Sequence, residues 1–486
     1  MVASSATDEI ISSPNKLHGN YLRFMEVLAH SLGRMGASGS AIVFIPLVFA
    51  TAGNGTWFSI AFAMAAYVPA MILINVFSRR VATPGALYIY VGLGLGPLAG
   101  AIAGWSLVIG YALWVSLNIP VLAHFILVAI DQLMGIQTDH DSFIPLIVLS
   151  VMGSALAWWY AYRDIRLSTR LTLRLEFISL SMIFLLIGGY FWHGGTVIDH
   201  AQMHMEGLTL SQFGLGLVLT MSIFTAFEST TVLGAEAKLP CNVIPRVVSA
   251  TVLGVGCFLI LAAYVLVAAF QGLQPALDKA EAPMTVLAQS SGIGFVGILI
   301  MLGLPLTVFS ALLACLNTAS RLLYSLSQHG LFHAKAGKTH RDHATPHIAI
   351  GVVMGISLVT AFTLLFCGVS AMDILGYLAS IATYGYLFAY MLVAIAAPCY
   401  LRRLGKMKWW HVFLAVIAVL LLSVPLIGSV YPVPEWPYTL FPFVFIGLLA
   451  LGVGYFLYLR KTDPTRLRAI EEGLLGTEVM KEAAAN

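Results

Sequence analysis

Long apolar runs are the feature that most constrains how this chain folds. The stretch from Val412 to Val424, for example, reads VFLAVIAVLLLSV, which is apolar on every face of a helix. A helix needs about 20 such residues to cross a bilayer. A barrel strand would instead alternate apolar and polar residues over about ten positions. Because runs of this kind recur along the chain, the sequence predicts an all-α membrane protein.

Composition supports this fold class. Of 486 residues, 59% are hydrophobic and 10% are charged, and the mean hydropathy is +0.90. Soluble proteins carry about 25% charged residues. These values exclude an ordinary cytosolic enzyme, a disordered protein and a nucleic-acid binder. We therefore expect membrane lipid, and no nucleic acid, among the partners.

Apolar windows of helix length predict twelve membrane-crossing helices. They lie at 24–50, 57–77, 98–126, 143–162, 171–192, 212–236, 246–270, 294–320, 347–367, 373–399, 410–429 and 438–459. All Lys and Arg residues except Arg34 and Lys279 then fall in segments on the side of the N-terminus. Since basic loops stay in the cytoplasm, we expect a multi-pass protein of the plasma (inner) membrane with both termini cytoplasmic.

The first span is interrupted near its middle by small residues, Gly33, Gly36, Ala37, Ser38, Gly39 and Ser40. Inside a bilayer, backbone that leaves the helix must find partners in protein or in a hydrated cavity, so a break at mid-membrane indicates a binding site. The alternative is that these residues only let helices pack closely.

The sixth span concentrates hydroxyl groups around one carboxylate. Ser222, Thr225, Ser229 and two further threonines surround Glu228. An ionisable residue inside a membrane is costly and is by default a candidate functional residue. The alternative is that Glu228 is hydrogen-bonded to a neighbouring helix in a structural role.

Three polar residues of the first span share a helical face. Glu26, His30 and Arg34 are spaced four apart, which places them one above the other. They predict either a structural or gating charge network, or a site where Arg34 binds a substrate carboxylate through two hydrogen bonds.

Several stretches, taken in order, resemble the APC superfamily of amino acid, polyamine and organocation permeases. They are the break in the first span, Phe77–Arg80 with Pro84–Tyr90 and Leu95–Trp105, Ala226–Glu228 with Glu236–Arg246, and Asn317–Arg321 with Tyr324, Gly330 and Thr345–Pro346. The resemblance covers roughly residues 21–460.

The resemblance implies two inverted five-helix repeats, with the first and sixth helices broken and two further helices appended. The units are a tail at 1–20, repeats at 21–199 and 200–400, helices 11 and 12 at 401–460, and a tail at 461–486. A substrate carboxylate would meet amides near Ala37, Ser38 and Gly39, and carbonyls of Thr225 and Ala226 would receive an amino group. The full predicted substrate-binding set is Arg34, Gly36, Ala37, Ser38, Gly39, Tyr111, Ser222, Thr225, Ala226, Phe227, Ser310 and Tyr384.

Coupling is predicted to involve protons carried by Glu228 and Glu176. Some proton-coupled relatives place a Lys on the fifth helix, where this chain has Ser179. Glu176 lies three residues earlier, on a neighbouring helical face. The alternative for Glu176 is an ion pair with Arg170 or Arg174.

The leading functional hypothesis is a secondary active transporter of amino acids, related amines or organic acids that works by alternating access and is coupled to protons. Exchange of one substrate for another is the alternative within this class, and an ion channel is the alternative from another class. We expect no enzymatic activity, no cofactor and no metal. The histidines of one inner loop, His329, His333, His340, His343 and His347, lack the ligand spacing of a zinc site and are interpreted as a solvated loop.

Overall fold

A computed structural model describes residues 21–135, 142–163, 165–207, 209–273, 276–280, 283–341, 343–431 and 433–462. The tail predicted at 1–20 lies outside the described residues, as does nearly all of the tail predicted at 461–486. The described part is helical and contains no β-strand. Extended pairing is limited there to an isolated parallel bridge between Leu22 and Ala237.

The α-helices of the described residues are α1 (Phe24–Met35), α2 (Ala37–Gly39), α3 (Ile45–Ala52), α4 (Thr56–Ser78), α5 (Ala86–Leu95), α6 (Pro97–Met134), α7 (Phe143–Arg163), α8 (Ile165–Trp192), α9 (His200–Met203), α10 (Leu210–Phe224), α11 (Pro240–Ala269), α12 (Pro283–Ser290), α13 (Gly294–Gln328), α14 (His347–Phe366), α15 (Ala371–Arg403), α16 (Trp409–Gly428) and α17 (Phe441–Thr462). A π-helix (Ser40–Phe44) joins α2 to α3, and a 3₁₀-helix (Ser229–Ala235) follows the turn after α10.

Within the described residues, eleven helical segments are long and apolar enough to cross a membrane. The first of them, Phe24–Ser78, contains 55 residues and includes both the first and the second predicted spans. The other predicted spans each correspond to one segment. The third and eighth extend further than expected, to Met134 and Gln328. The short helices α5 and α12 were not predicted.

The first predicted span is broken at Gly36. Helix α1 ends at Met35, and Gly36 adopts a left-handed conformation with φ +53°. Helical structure resumes at Ala37 and passes through the π-helix. Glycine suits this position because it adopts positive φ without a steric penalty. The break therefore lies at a single residue within the predicted glycine-rich stretch.

The sixth predicted span is broken as well. Helix α10 ends at Phe224, residues 225–228 form turns, and the chain continues as the 3₁₀-helix. Ala226 has φ +59°, so alanine occupies a conformation that normally favours glycine. The two breaks bring helix ends together, because α1 packs against the 3₁₀-helix and the π-helix packs against α10. Helices α6, α13 and α15 pack around this centre.

Candidate functional site

Arg34 is buried at the end of α1, just before the break. Its guanidinium lies 4.4 Å from the centroid of the Trp114 ring and 5.6 Å from those of Tyr111 and Tyr386. Its Nη2 donates a hydrogen bond of 3.0 Å to the Tyr386 hydroxyl. No ion pair of Arg34 occurs among the described residues. The arginine is thus a cation surrounded by aromatic rings, a favourable arrangement for a desolvated charge.

The predicted network on the face of α1 does not form as one unit. Glu26 pairs with Arg170 of α8 at 3.2 Å, and His30 Nε2 hydrogen-bonds to Thr318 of α13 at 3.0 Å. Arg34 instead reaches α15. The three side chains therefore connect α1 to three different helices. Equal spacing along one helix placed them on one face but did not determine which partners they meet.

Glu228 lies in the turn after α10 and joins three elements. Its carboxylate accepts a hydrogen bond of 2.8 Å from Tyr111 of α6 and another from Tyr390 of α15. The Tyr390 hydroxyl in turn accepts the amide of Ala226 at 2.7 Å. This agrees with the structural alternative for Glu228. The Tyr111 side chain that bonds to Glu228 is also one of the rings that surround Arg34.

Glu176 occupies the break of the first span. One of its carboxylate oxygens accepts the Ser38 amide at 2.8 Å, and the other accepts the Ser38 hydroxyl at 3.0 Å. The alternative of an ion pair with Arg170 or Arg174 is not seen among the described residues, since Arg170 binds Glu26 and Glu176 bonds to Ser38. The Ser38 amide, one of those expected to hold a substrate carboxylate, thus already holds one from the chain itself.

Ser179, the position aligned with a coupling lysine in some relatives, faces another helix. Its hydroxyl lies 3.5 Å from that of Thr307 on α13. Glu176, three residues earlier on α8, bonds to Ser38 at the break.

A small cavity of about 40 Å³ lies at the break of the first span. Three predicted site residues line it, namely Arg34, Gly36 and Gly39. The volume accommodates a few water molecules and is far below the roughly 300–1,000 Å³ of small-molecule sites. The space at the break is therefore too small for an amino acid in this structure.

Sequence reasoning missed several residues that line this cavity, including Trp114, Asn118, Thr307 and Leu375. A signal for two of them was present. Trp114 and Asn118 follow Tyr111 by three and seven positions in α6, and this spacing places all three side chains on one face of the helix. An aromatic and an amide at these positions of an otherwise apolar helix indicate a polar centre.

Tyr384, predicted to line the substrate pocket, does not line this central cavity. It borders a separate cavity of about 290 Å³ together with Thr51, Ser380 and Glu435. Ser310 is buried next to residues that line the central cavity, and its hydroxyl has no hydrogen-bond partner among the described residues. A contact of Tyr384 with a substrate therefore stays a prediction, at a cavity other than the one at the helix break.

The predicted residues of the sixth span mainly bond within that span. The hydroxyl of Ser222 donates to the carbonyl three residues earlier at 2.6 Å, and that of Thr225 donates to the Ser222 carbonyl at 2.7 Å. The Ala226 carbonyl accepts the Ser229 amide at 2.9 Å, and Phe227 is buried in the core. These groups stabilise the broken backbone. Their contact with a substrate remains a prediction.

Ala226 provides a test of this backbone. Replacing Ala226 by valine is expected to destabilise the protein by at least about 1 kcal/mol more than replacing Ala41 by valine. Both alanines are fully buried, so each variant is overpacked by the same two methyl groups, but only position 226 has a positive φ, which is particularly unfavourable for a β-branched residue. Thermal unfolding in detergent measures the difference. Equal losses at the two positions would contradict the strained backbone.

The N-terminal end of α1 is sealed against the end of the 3₁₀-helix. The amides of Tyr21 and Leu22 donate to the Glu236 carbonyl at 2.7 and 2.8 Å. The Glu236 side chain pairs with Arg321 at 2.6 and 3.1 Å, and both are buried. Arg321 was expected in a loop after the eighth span, but α13 extends past it. At the other end, cavities of about 290 and 370 Å³ both adjoin α3.

The histidine-rich loop is better packed than predicted. His340, His343 and His347 lie around the ring of Tyr162, with centroid distances of 5.1, 5.5 and 6.4 Å. These three side chains are half-buried, so the loop packs on α7 while it stays partly solvated. The aromatic partner comes from the end of α7, more than 170 positions earlier in the chain, so no local pattern revealed it.

Among the described residues, eleven helical segments are long and apolar enough to cross a membrane, and two of them are interrupted where they meet. This architecture is typical of a multi-pass membrane transport protein. Residues 31–468 match the amino acid permease family. The chain belongs to this family, within the APC superfamily, and is a permease rather than an enzyme.

Individual relatives are distant and differ in what their names say they carry. The chain is 26% identical to the gamma-aminobutyric acid permease of Escherichia coli over 72% of this chain and 74% of that protein. It is 22% identical to a branched-chain amino acid permease of Bacillus subtilis, over 62% and 65%. It is 24% identical to an arginine/ornithine antiporter of Latilactobacillus sakei, over 63% and 64%.

Proposed function

We propose that this permease transports amino acids with apolar side chains by alternating access to the central cavity, and that uptake is coupled to protons. The observation that carries this proposal is the central cavity itself, which lies at the break of one helix beside a buried arginine. Its remaining lining is mostly apolar, with Val43, Phe44 and Leu375 among the residues. An apolar side chain fits such surroundings because burial in them removes it from water.

Alternating access requires that the central cavity is closed toward one side of the membrane while it can open toward the other. The contacts of Leu22, Glu236 and Arg321 close the end of α1, and the two larger cavities beside α3 provide the path on the other side. Rocking of one bundle against the other around a fixed site would exchange these roles. With the N-terminus in the cytoplasm, the sealed end faces inward and the cavities face outward.

We further propose twelve crossings. The segment Phe24–Ser78 is about 80 Å long at 1.5 Å per residue, which exceeds a bilayer core of about 30 Å. It is interrupted by a 3₁₀-helix at Gly53–Gly55, a suitable place for a hairpin between two crossings. Counted in this way, the breaks fall in crossings one and six, as two inverted five-helix repeats would require. Both termini are then cytoplasmic, and the protein lies in the plasma membrane in contact with lipid.

Two buried carboxylates support the proposal of proton coupling. Glu176 bonds to the break of the first span and Glu228 lies in the break of the sixth. Taking up a proton would change the hydrogen bonds of either carboxylate at a helix break. Exchange of one amino acid for another is the second candidate, favoured by the resemblance to the arginine/ornithine antiporter.

Proteoliposomes test the proposal. Purified protein is reconstituted, and uptake of labelled leucine, alanine, phenylalanine and 4-aminobutyrate is measured with and without an inward proton gradient. We expect saturable uptake of at least one of the apolar amino acids. With the gradient, uptake should be faster and the amino acid should reach a higher concentration inside the vesicles than without it. Uptake that is indifferent to the gradient and that requires an amino acid inside the vesicles would contradict proton coupling and establish exchange. Non-saturating conductance would contradict a transporter and favour a channel.

A further inference from the structure

One of the helix-break amides that a substrate carboxylate was expected to use, that of Ser38, is not free. The Ser38 amide and hydroxyl both donate to Glu176, whose side chain is 1% exposed. A carboxylate from the chain already fills the acceptor position there. A substrate carboxylate that used the same amide would have to displace Glu176 into apolar surroundings, which is costly for a charged group.

Two other donors at the centre are unused. Arg34 Nε and Trp114 Nε1 are buried, and neither has a hydrogen-bond partner among the described residues. Both side chains line the central cavity. A buried donor without an acceptor costs about 1–3 kcal/mol, so such groups in native proteins call for a specific explanation. Two of them on one cavity indicate a place for an acceptor from outside the chain.

The geometry around these donors is preorganised. The guanidinium of Arg34 lies 4.4 Å from the Trp114 ring centroid, and its Nη2 is bonded to Tyr386. These contacts hold the arginine in place with Nε unoccupied. The cation has no carboxylate partner in the described part of the chain, so an anionic acceptor would also balance its charge.

We infer that the Nε–H of Arg34 and the Nε1–H of Trp114 together bind the carboxylate of the transported amino acid, while the Ser38 amide remains with Glu176. The inference rests on the proposed function and assigns a subsite within it. The ligand is a monocarboxylate that accepts one hydrogen bond from each donor. Both bonds are charge-assisted because the carboxylate is ionised. Trp114 is thereby a specificity-determining residue, because an amino acid amide offers no negative charge at that position.

Substitution of Trp114 by phenylalanine tests the subsite in the purified full-length protein. The probes are leucine, alanine, phenylalanine and 4-aminobutyrate, each compared with its carboxamide, and the readout is the ratio of the two dissociation constants. We expect W114F to reduce the preference for the acid by about tenfold or more, since hydrogen bonds to charged groups contribute about 1.5–3 kcal/mol. Because acid and amide are measured on the same protein, a general loss of stability does not alter the ratio.

The matched control is Trp105→Phe. Trp105 lies on the same helix, and its Nε1 donates to the Leu448 carbonyl at 2.9 Å, away from the cavity. We expect this variant to keep the acid preference of the wild type, and Arg34→Lys to reduce it as W114F does. Glu176→Gln reports on the rival subsite, because a substrate carboxylate that used the Ser38 amide would bind more tightly once the charge of Glu176 is removed.

The outcomes separate the inference from the proposed function. Equal acid preference in W114F, W105F and wild type overturns the inference, as does a gain in acid affinity in E176Q without an effect of W114F. If wild-type protein binds an acid and only the ratio fails to change, the inference alone is wrong. If wild-type protein binds none of the four acids, the proposed function fails with it.

Discussion

Replacing Glu228 by glutamine is expected to abolish proton-driven accumulation while counterflow of the same amino acid continues. The carboxylate of Glu228 accepts hydrogen bonds from Tyr111 and Tyr390. Glutamine has similar size but cannot take up a proton. A gradient of one pH unit supplies about 1.4 kcal/mol per proton, enough for about tenfold accumulation. Uptake by E228Q should therefore stop at equilibration in proteoliposomes where the wild type reaches about tenfold.

Two further variants make this result interpretable. Glu26→Gln is the matched control, because Glu26 is a carboxylate of the same bundle that pairs with Arg170 and is not expected to carry a coupling proton. Glu176→Gln, measured in parallel, decides which of the two proposed carriers is required. Accumulation by E228Q at the wild-type level would rule out Glu228 as a proton carrier and leave it with a structural role between α6 and α15.

Replacing Arg321 by alanine is expected to destabilise the protein by about 3–5 kcal/mol. Arg321 and Glu236 are each about 1% exposed and form two hydrogen bonds of 2.6 and 3.1 Å. Removing the arginine leaves Glu236 charged and buried, next to the backbone that binds Leu22. A large fall in the thermal unfolding temperature in detergent, with loss of uptake, is the expected result.

The chain offers a control pair for this prediction. The Arg170 side chain is 59% exposed in its ion pair with Glu26, so Arg170→Ala should cost at most about 1 kcal/mol. The double variant Arg321→Met with Glu236→Leu should lose less than Arg321→Ala, because no isolated charge remains. Similar losses for R321A and R170A would contradict a buried, structurally essential pair at the sealed end.

Much of the fold followed from local properties of the sequence. Apolar runs predicted the crossing segments because transfer of each run into lipid depends mainly on its own composition. The small residues around Gly36 predicted the first break, since backbone conformation is largely a local matter. The second break formed although Ala226 is not a glycine and has a positive φ, because the contacts of Tyr390 and Glu228 hold the turn.

Partners of the polar side chains did not follow in the same way. Arg34 meets Tyr386 at a separation of 352 positions, and Glu176 meets Ser38 at 138. The alternative weighed for Glu176 was a nearby arginine, and Tyr384 was expected to shape the substrate pocket. The observed contacts of these two residues were not visible in the sequence, because neighbours along one helix follow from the spacing, whereas neighbours across helices depend on how each helix is rotated and packed.

The sequence by itself determined that this chain is a helical membrane protein of the permease class, with a break in its first span and a buried carboxylate in its sixth. Only the tertiary structure decided that Glu176 occupies the first break and that Arg34 is left among aromatic rings with an unused donor. The physical reason is that membrane insertion and helix breaking are governed by residues close together in the chain, whereas a binding site is assembled from helices whose relative rotation no single segment encodes.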